Sequence, residues 1–421
     1  MVAPSYGVSP QQANAYSSML VRQRAKRMVQ RTYRQIVPYT FGTGNVVNIP
    51  LRPVGLLTGL KVVVEGTITT SAAGTGARTD TVLSGVITNG LGAPNVLSNI
   101  SLVDLSSNTR VNAPGWYLHA LASVRRNSPY LATYAANDTA GYAPRIVVAG
   151  ALGTPTPSYL VNSMPEAIGV GAGITNDFFR HIYDVPVAYG PDDLRGAIYA
   201  AVTSATLNLQ VTINPNLVSI GAVDSVESVY NATAGAITDF TTAGFTISVY
   251  QEYFDMLPVD PSTGLVILPP LDLAKAYMIN SSVYTGLAAG AQFPVSFANW
   301  REFQSTLFVY KNTGILGALA AAGGAGGNIT DILLQSANLT NIMQLDPALC
   351  QAYTRERIGT DMPYGMYYID LRRQPIITQE FGNMQLTVTP SAAGATPVLY
   401  VGWEAIADQN TVMLSGAFRQ N

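Results

Sequence analysis

Charge is what this chain of 421 residues has least of: Asp, Glu, Lys and Arg make up 11% of it, against about 25% in average usage. A surface so poor in charge predicts a subunit that neighbours cover in a larger assembly. Cysteine is nearly absent too. Cys350 stands alone, which excludes a disulfide framework and a cysteine-based zinc site. The only histidines, His119 and His181, read as structural residues, so no metal ligands are expected. No Gly-x-Ser-x-Gly elbow offers a nucleophile. The glycine-rich residues 314–327 lack the Lys-Ser/Thr of a phosphate-cradling loop. They also have too many glycines and too little bulk to span a membrane. No catalytic and no cofactor-binding residues are therefore expected, and an enzyme is not. With no apolar signal-peptide core after the N-terminus, ordinary secretion is not expected either.

Acidic residues are missing from one end. None precedes Glu65, whereas eight basic residues do. The remainder carries fifteen basic against twenty-five acidic side chains, a net of −10 within an overall charge of −2. Attraction to polyanions is thus confined to one end, and a general nucleic-acid-coating role is not expected.

What fills that end is residues 9–38, SPQQANAYSSMLVRQRAKRMVQRTYRQIVP. Ser9 before Pro10 is a helix start, and Pro38 is a stop. At 100° per residue, Val21, Ala25, Met28, Val29, Thr32 and Ile36 fall on one arc, and Arg22, Arg24, Lys26, Arg27, Arg31 and Arg34 fill the rest. The segment predicts one basic amphipathic helix. Three uses stay open at this point: docking on the protein's own core, an organelle transit peptide, or an anionic surface of lipid or nucleic acid.

After residue 38 the pattern alternates with a period of two. Strands are predicted over 39–51, 56–69, 96–105, 145–149, 178–188 and 206–213. A second series covers 244–253, 265–268, 305–310, 366–370, 376–378, 384–389 and 398–404. Residues 116–126 read as a helix, and so do 347–358 with Asp346 as cap. Asp192 and Asp193 could pair with Arg195 or cap a third helix over 194–200, and capping is the expectation. Many short strands with few helices predict an all-β chain of sandwich or jelly-roll type. The boundaries expected are a helical arm over 1–38, one β unit over 39–240 and another over 241–421. The halves echo one another: Leu-Gln-Val-Thr-Ile at 209–213 matches Met-Gln-Leu-Thr-Val at 384–388.

Three stretches of the second half, SVYQEYFDMLPV at 248–259, ILPPLDL at 267–273 and TRERIGTDMPYGMYYIDLRRQPIITQEFGN at 354–383, resemble the major capsid protein of tectivirus-type bacteriophages. GWYLH at 115–119 and VPVAYGPDDLRGAIYA at 185–200 are similar to the same family. The resemblance runs with gaps from about residue 39 to the C-terminus. It implies a double jelly roll: two vertical eight-stranded jelly rolls, an N-terminal amphipathic helix and a few short helices. It implies a virion protein, assembled in the host cytoplasm, whose homotrimers form pseudo-hexagonal capsomers. These would tile an icosahedral shell over an internal lipid membrane, beside penton and minor capsid proteins. The N-terminal helix would then face the membrane through Arg22, Arg24, Lys26, Arg27, Arg31 and Arg34. A glycan-binding jelly-roll spike is the alternative.

Overall fold

A computed structural model describes residues 9–25, 31–37, 44–70, 76–78, 96–125, 177–190, 192–201, 207–215, 218–220, 230–232, 237–239, 246–297, 301–312, 315–316, 329–337, 341–358, 366–377, 382, 384–391 and 397–408. The expected strand over 145–149 lies outside them.

Two sets of eight strands follow one another along the chain. In the first set, Arg31–Val37, Thr246–Phe254, Leu56–Thr70 and Asp177–Pro186 lie side by side, all antiparallel. Val46–Pro50, Asn208–Ile213, Leu97–Val103 and Thr109–Ala113 form the companion layer, also antiparallel. In the second set, the matching neighbours are Lys275–Thr285, Val398–Asp408, Arg301–Asn312 and Met366–Asp370. Their companions are Phe293–Ser296, Met384–Pro390, Ile329–Ser336 and Met343–Leu345. By order of occurrence, each set places strands one, eight, three and six in one layer and two, seven, four and five in the other. That is the strand order of a jelly roll, used twice.

The echo between the halves has a physical basis. Leu209, Val211 and Ile213 are fully buried on the seventh strand of the first roll, and Met384, Leu386 and Val388 on the seventh strand of the second. Alternate residues fill each core while Gln210 and Gln385 stay at its margin. A helix follows the fifth strand in both rolls. Helix α2 (Gly115–Arg125) starts after Pro114, and α4 (Pro347–Ile358) after Asp346, whose carboxylate accepts from the Leu349 amide at 2.7 Å. Two other helices, α1 (Pro10–Ala25) and α3 (Pro270–Leu273), lie outside the rolls.

Three expectations need correction. The basic segment is not one helix: α1 ends at Ala25, and Arg31–Val37 is an edge strand in register with residues 247–253. Thr32, Arg34 and Ile36 share one strand face as readily as they share a helical arc. The β-branched and aromatic residues of RTYRQIV, given a partner, choose the sheet. Residues 194–200 form no helix, because the Asp193 carboxylate is taken up by Arg195 at 2.8 Å and Ile198–Tyr199 pairs with residues 56–57. The break expected at 240 precedes Thr246–Phe254, which is hydrogen-bonded into the first roll on both edges.

The rolls share a seam. Thr109–Ala113 of the first pairs in parallel with Lys275–Thr285 of the second, Val111 opposite Ile279. One continuous apolar cluster joins the first roll's core to Tyr277, Ile279, Leu307, Tyr368, Tyr400 and Ile406 of the second.

Candidate functional site

The six basic residues singled out by the sequence go to different places. Arg22, on the inward face of α1, forks onto Asp272 of α3, with Nε at 3.0 Å and 3.2 Å from the two carboxylate oxygens. That Asp272 hydrogen bond, outweighing partial burial, holds the guanidinium pKa above its ordinary value. Asp272 is 0% exposed and Arg22 43%. Beside them Ser18 Oγ accepts from the Leu271 amide at 3.1 Å, and Val21 inserts among Leu56, Leu194 and Phe254. Ser18, Val21 and Arg22 recur at helical spacing, so they form the docking face of α1. Its start is fixed by a reciprocal box: Gln12 N donates to Ser9 Oγ, and Ser9 N to Gln12 Oε1.

Arg24 projects from the opposite, exposed face. Lys26 and Arg27 lie outside the described residues. Arg31 and Arg34 sit on the edge strand. Arg31 pairs with Asp255 at 2.7 Å, and Arg34 donates to Ser248 Oγ at 3.3 Å while its guanidinium lies 5.6 Å from the Tyr250 ring centre. Three of the six therefore have structural partners.

The densest polar cluster gave no signal in the sequence. Glu404, fully buried on Val398–Asp408, accepts from Tyr277 Oη and Ser305 Oγ of its own roll. Arg125, the last residue of α2, approaches it from the other roll with Nε at 3.4 Å. The Arg125 guanidinium also donates to the Tyr189 carbonyl and lies 5.1 Å from the Tyr277 ring centre. Burial, with Glu404 close by, pushes the Tyr189 phenol up to about 12. Tyr189 Oη donates to Gln304 Oε1 at 2.9 Å, and Arg195 reaches Glu302 at 3.3 Å, both across the seam. Further along α2, Trp116 meets Tyr400 edge-on at 5.8 Å, and the Tyr117 ring lies over Gly402. A side chain at Gly402 would begin 2.1 Å from that ring. The arrangement fixes one roll against the other.

The other residues singled out by the sequence lie on separate elements. His119 is buried on α2. His181 lies on Asp177–Pro186, and its backbone pairs with Val64. Burial pushes the Cys350 thiol up to about 12, leaving little thiolate at neutral pH. Among the described residues no group of three His, Cys, Asp or Glu could hold a metal ion, and no helix is long and apolar enough to cross a membrane.

Comparison with known proteins covers both rolls. The family model described as P3 major capsid protein N-terminal matches residues 31–257, and P3 major capsid protein C-terminal matches 274–418. Major capsid protein P3 of Enterobacteria phage PRD1 is 28% identical over 408 residues, covering 96% of this chain and 93% of that protein. Among solved structures, the STIV MCP superposes with a TM-score of 0.56 at 12% identity, over 92% of this chain and 100% of that one. The PBCV-1 virus capsid follows with a TM-score of 0.51 at 12% identity, over 90% and 94%. At such identities these two likenesses bear on the fold, which is the double jelly roll.

Proposed function

The chain belongs to the P3 major capsid protein family and is a coat component of a virion; from that premise we propose that it forms homotrimers which tile a shell over a lipid membrane. The observation that supports this reading is the seam. A subunit that tiles by shape must hold its two rolls at one angle, and a dry network of Arg125, Glu404, Tyr277 and Ser305 beside an aromatic wedge does so. The work is tiling rather than turnover, so the protein is a structural one and not an enzyme. Neighbouring trimers, penton and minor capsid proteins are its proposed partners. We place the division between the rolls in residues 255–274, with an arm of about 30 residues before the first.

For the arm, the proposal narrows to the basic residues other than Arg22, Arg31 and Arg34. Arg24, Lys26 and Arg27 face anionic lipid, each worth about 1 kcal/mol near a charged surface. Arg22, Arg31 and Arg34 hold the arm to the roll. Three chains in a trimer present these cations together, and weak contacts then suffice. Flotation with anionic vesicles tests this. The unaltered protein floats, and the Arg24→Gln/Lys26→Gln/Arg27→Gln variant stays at the bottom with its melting temperature unchanged. Equal flotation of both would overturn the lipid contact while leaving the coat role intact.

A further inference from the structure

The link between the rolls carries a feature that neither roll needs. Thirteen large apolar side chains are exposed among the described residues. Five of them, Met256, Val259, Leu265, Val266 and Leu271, fall within residues 256–271, too dense a concentration for scattered surface residues. Val259, Leu265 and Val266 sit on a small built hairpin, with Met256 before it and Leu271 on α3 after it. Val259 bridges Val266, Asp260 N donates to Leu265 O at 2.9 Å, and Ile267 N donates to Pro258 O at 2.8 Å. The Asp260 carboxylate ties the turn by accepting from Ser262 N, Ser262 Oγ and Thr263 Oγ1. Gly264 completes it at φ 68°. At the base, Leu257 and Ile267 pack against the cluster that holds Val21 and Phe254. The tip is thus rigid before it meets anything, with Leu265 68% exposed.

Charge points to the partner. Residues 256–274 contain no Lys or Arg, and of their two acids Asp272 is taken by Arg22. The tip therefore offers apolar side chains and one carboxylate, which anionic lipid repels. A complementary surface lies on the second roll. A cleft of about 400 Å³ between α4 and Met366–Asp370 is lined by Met343, Leu345, Tyr353, Glu356 and Arg373. Asp370 in its wall is occupied by Arg357 at 2.8 Å and Arg372 at 2.9 Å. Arg373 is exposed and has no ion pair among the described residues. Tyr353 is 51% exposed at the mouth.

We infer that the Val259–Val266 hairpin of one subunit docks into the α4 cleft of a second copy of this chain, Leu265 against Tyr353 and Asp260 against Arg373. Within one chain the hairpin packs on the first roll, so the occupant comes from a neighbour. A contact of unlike surfaces repeated around a threefold axis closes a ring, whereas around an axis that does not close it makes filaments.

The inference rests on the coat reading, and a double-mutant cycle separates the two. Self-association of the purified full chain is measured by sedimentation for the unaltered protein, Asp260→Asn, Arg373→Gln and the double variant; Asn keeps an oxygen for Ser262 N and Ser262 Oγ in the turn. Each single neutralisation is expected to weaken association about fivefold, and the double no further than either one, as coupled neighbours do. Leu265→Asp is expected to weaken it at least as much, and because Leu265 is exposed, an unchanged melting curve checks its fold. Single variants that associate like the unaltered protein, or a double whose loss is the sum of the two, would overturn the docking. If Leu265→Asp lowers vesicle flotation and spares association, the tip meets lipid and the inference is wrong. An unaltered chain that is monomeric would instead count against the coat reading itself.

Discussion

The seam and the N-terminal arm are each fastened by an arginine on a fully buried carboxylate, and the two fastenings are not alike. At the seam, Glu404 has Tyr277 and Ser305 as well as Arg125, whose side chain is 17% exposed. At the arm, the Arg22 side chain is 43% exposed. Ser18 and Val21 are the other buried residues of that face. A buried charge that loses its partner is costly only where it cannot find water. Glu404 itself is fully buried between the rolls. Asp272 gains a route to solvent as soon as α1 lifts. The same pair chemistry therefore makes a permanent joint in one place and a latch in the other.

Breaking the joint should have the largest effect. Glu404→Ala leaves Arg125, Tyr277 and Ser305 without their common acceptor, and a loss of about 3–5 kcal/mol is expected in denaturant titration. Gly402→Ala should come next, at about 1–3 kcal/mol, because the new methyl group collides with the Tyr117 ring. Trimming Tyr117 to Leu in the same chain should recover part of it, which marks the cause as crowding. Arg22→Ala should cost least, about 1–2 kcal/mol. Its signature is local: faster amide exchange over residues 10–25 with the rolls unaffected. Global unfolding by Arg22→Ala comparable to that of Glu404→Ala would erase the distinction between joint and latch.

How much of this the sequence declared depends on the distance over which each feature is decided. Helix α4 was legible because Asp346, Pro347 and the following turn settle it locally. The seventh strands were legible because Leu209, Val211 and Ile213, like Met384, Leu386 and Val388, alternate cleanly into a core. Lys275–Thr285 was not legible as a strand. Its Asn280-Ser281-Ser282 reads as a loop, while Ala276 to Ile279 are buried in succession because Tyr277 and Ile279 face the seam and Ala276 and Met278 pack with Ala407 on the other face. Arg31–Val37 was misjudged because its fate is set by a partner more than 200 residues away. The same holds for the site. Arg125 and Glu404 lie 279 positions apart, and nothing near either announces the other. The basic arm was visible as composition, but that Arg22, Arg31 and Arg34 are engaged followed only from Asp272, Asp255 and Ser248. The family resemblance supplied the double jelly roll. The strand order shows how one topology, used twice, realises it.

We propose that the natural unit of this coat subunit is the trimer, held mainly by apolar and hydrogen-bonded edges, with exposed charge contributing less. Sedimentation equilibrium of the purified protein at low salt and again in about 1 M salt, where exposed ion pairs are screened, tests it most directly. The account predicts a species of three times the 44.6 kDa chain mass in both. Single chains of 44.6 kDa at either salt would contradict it.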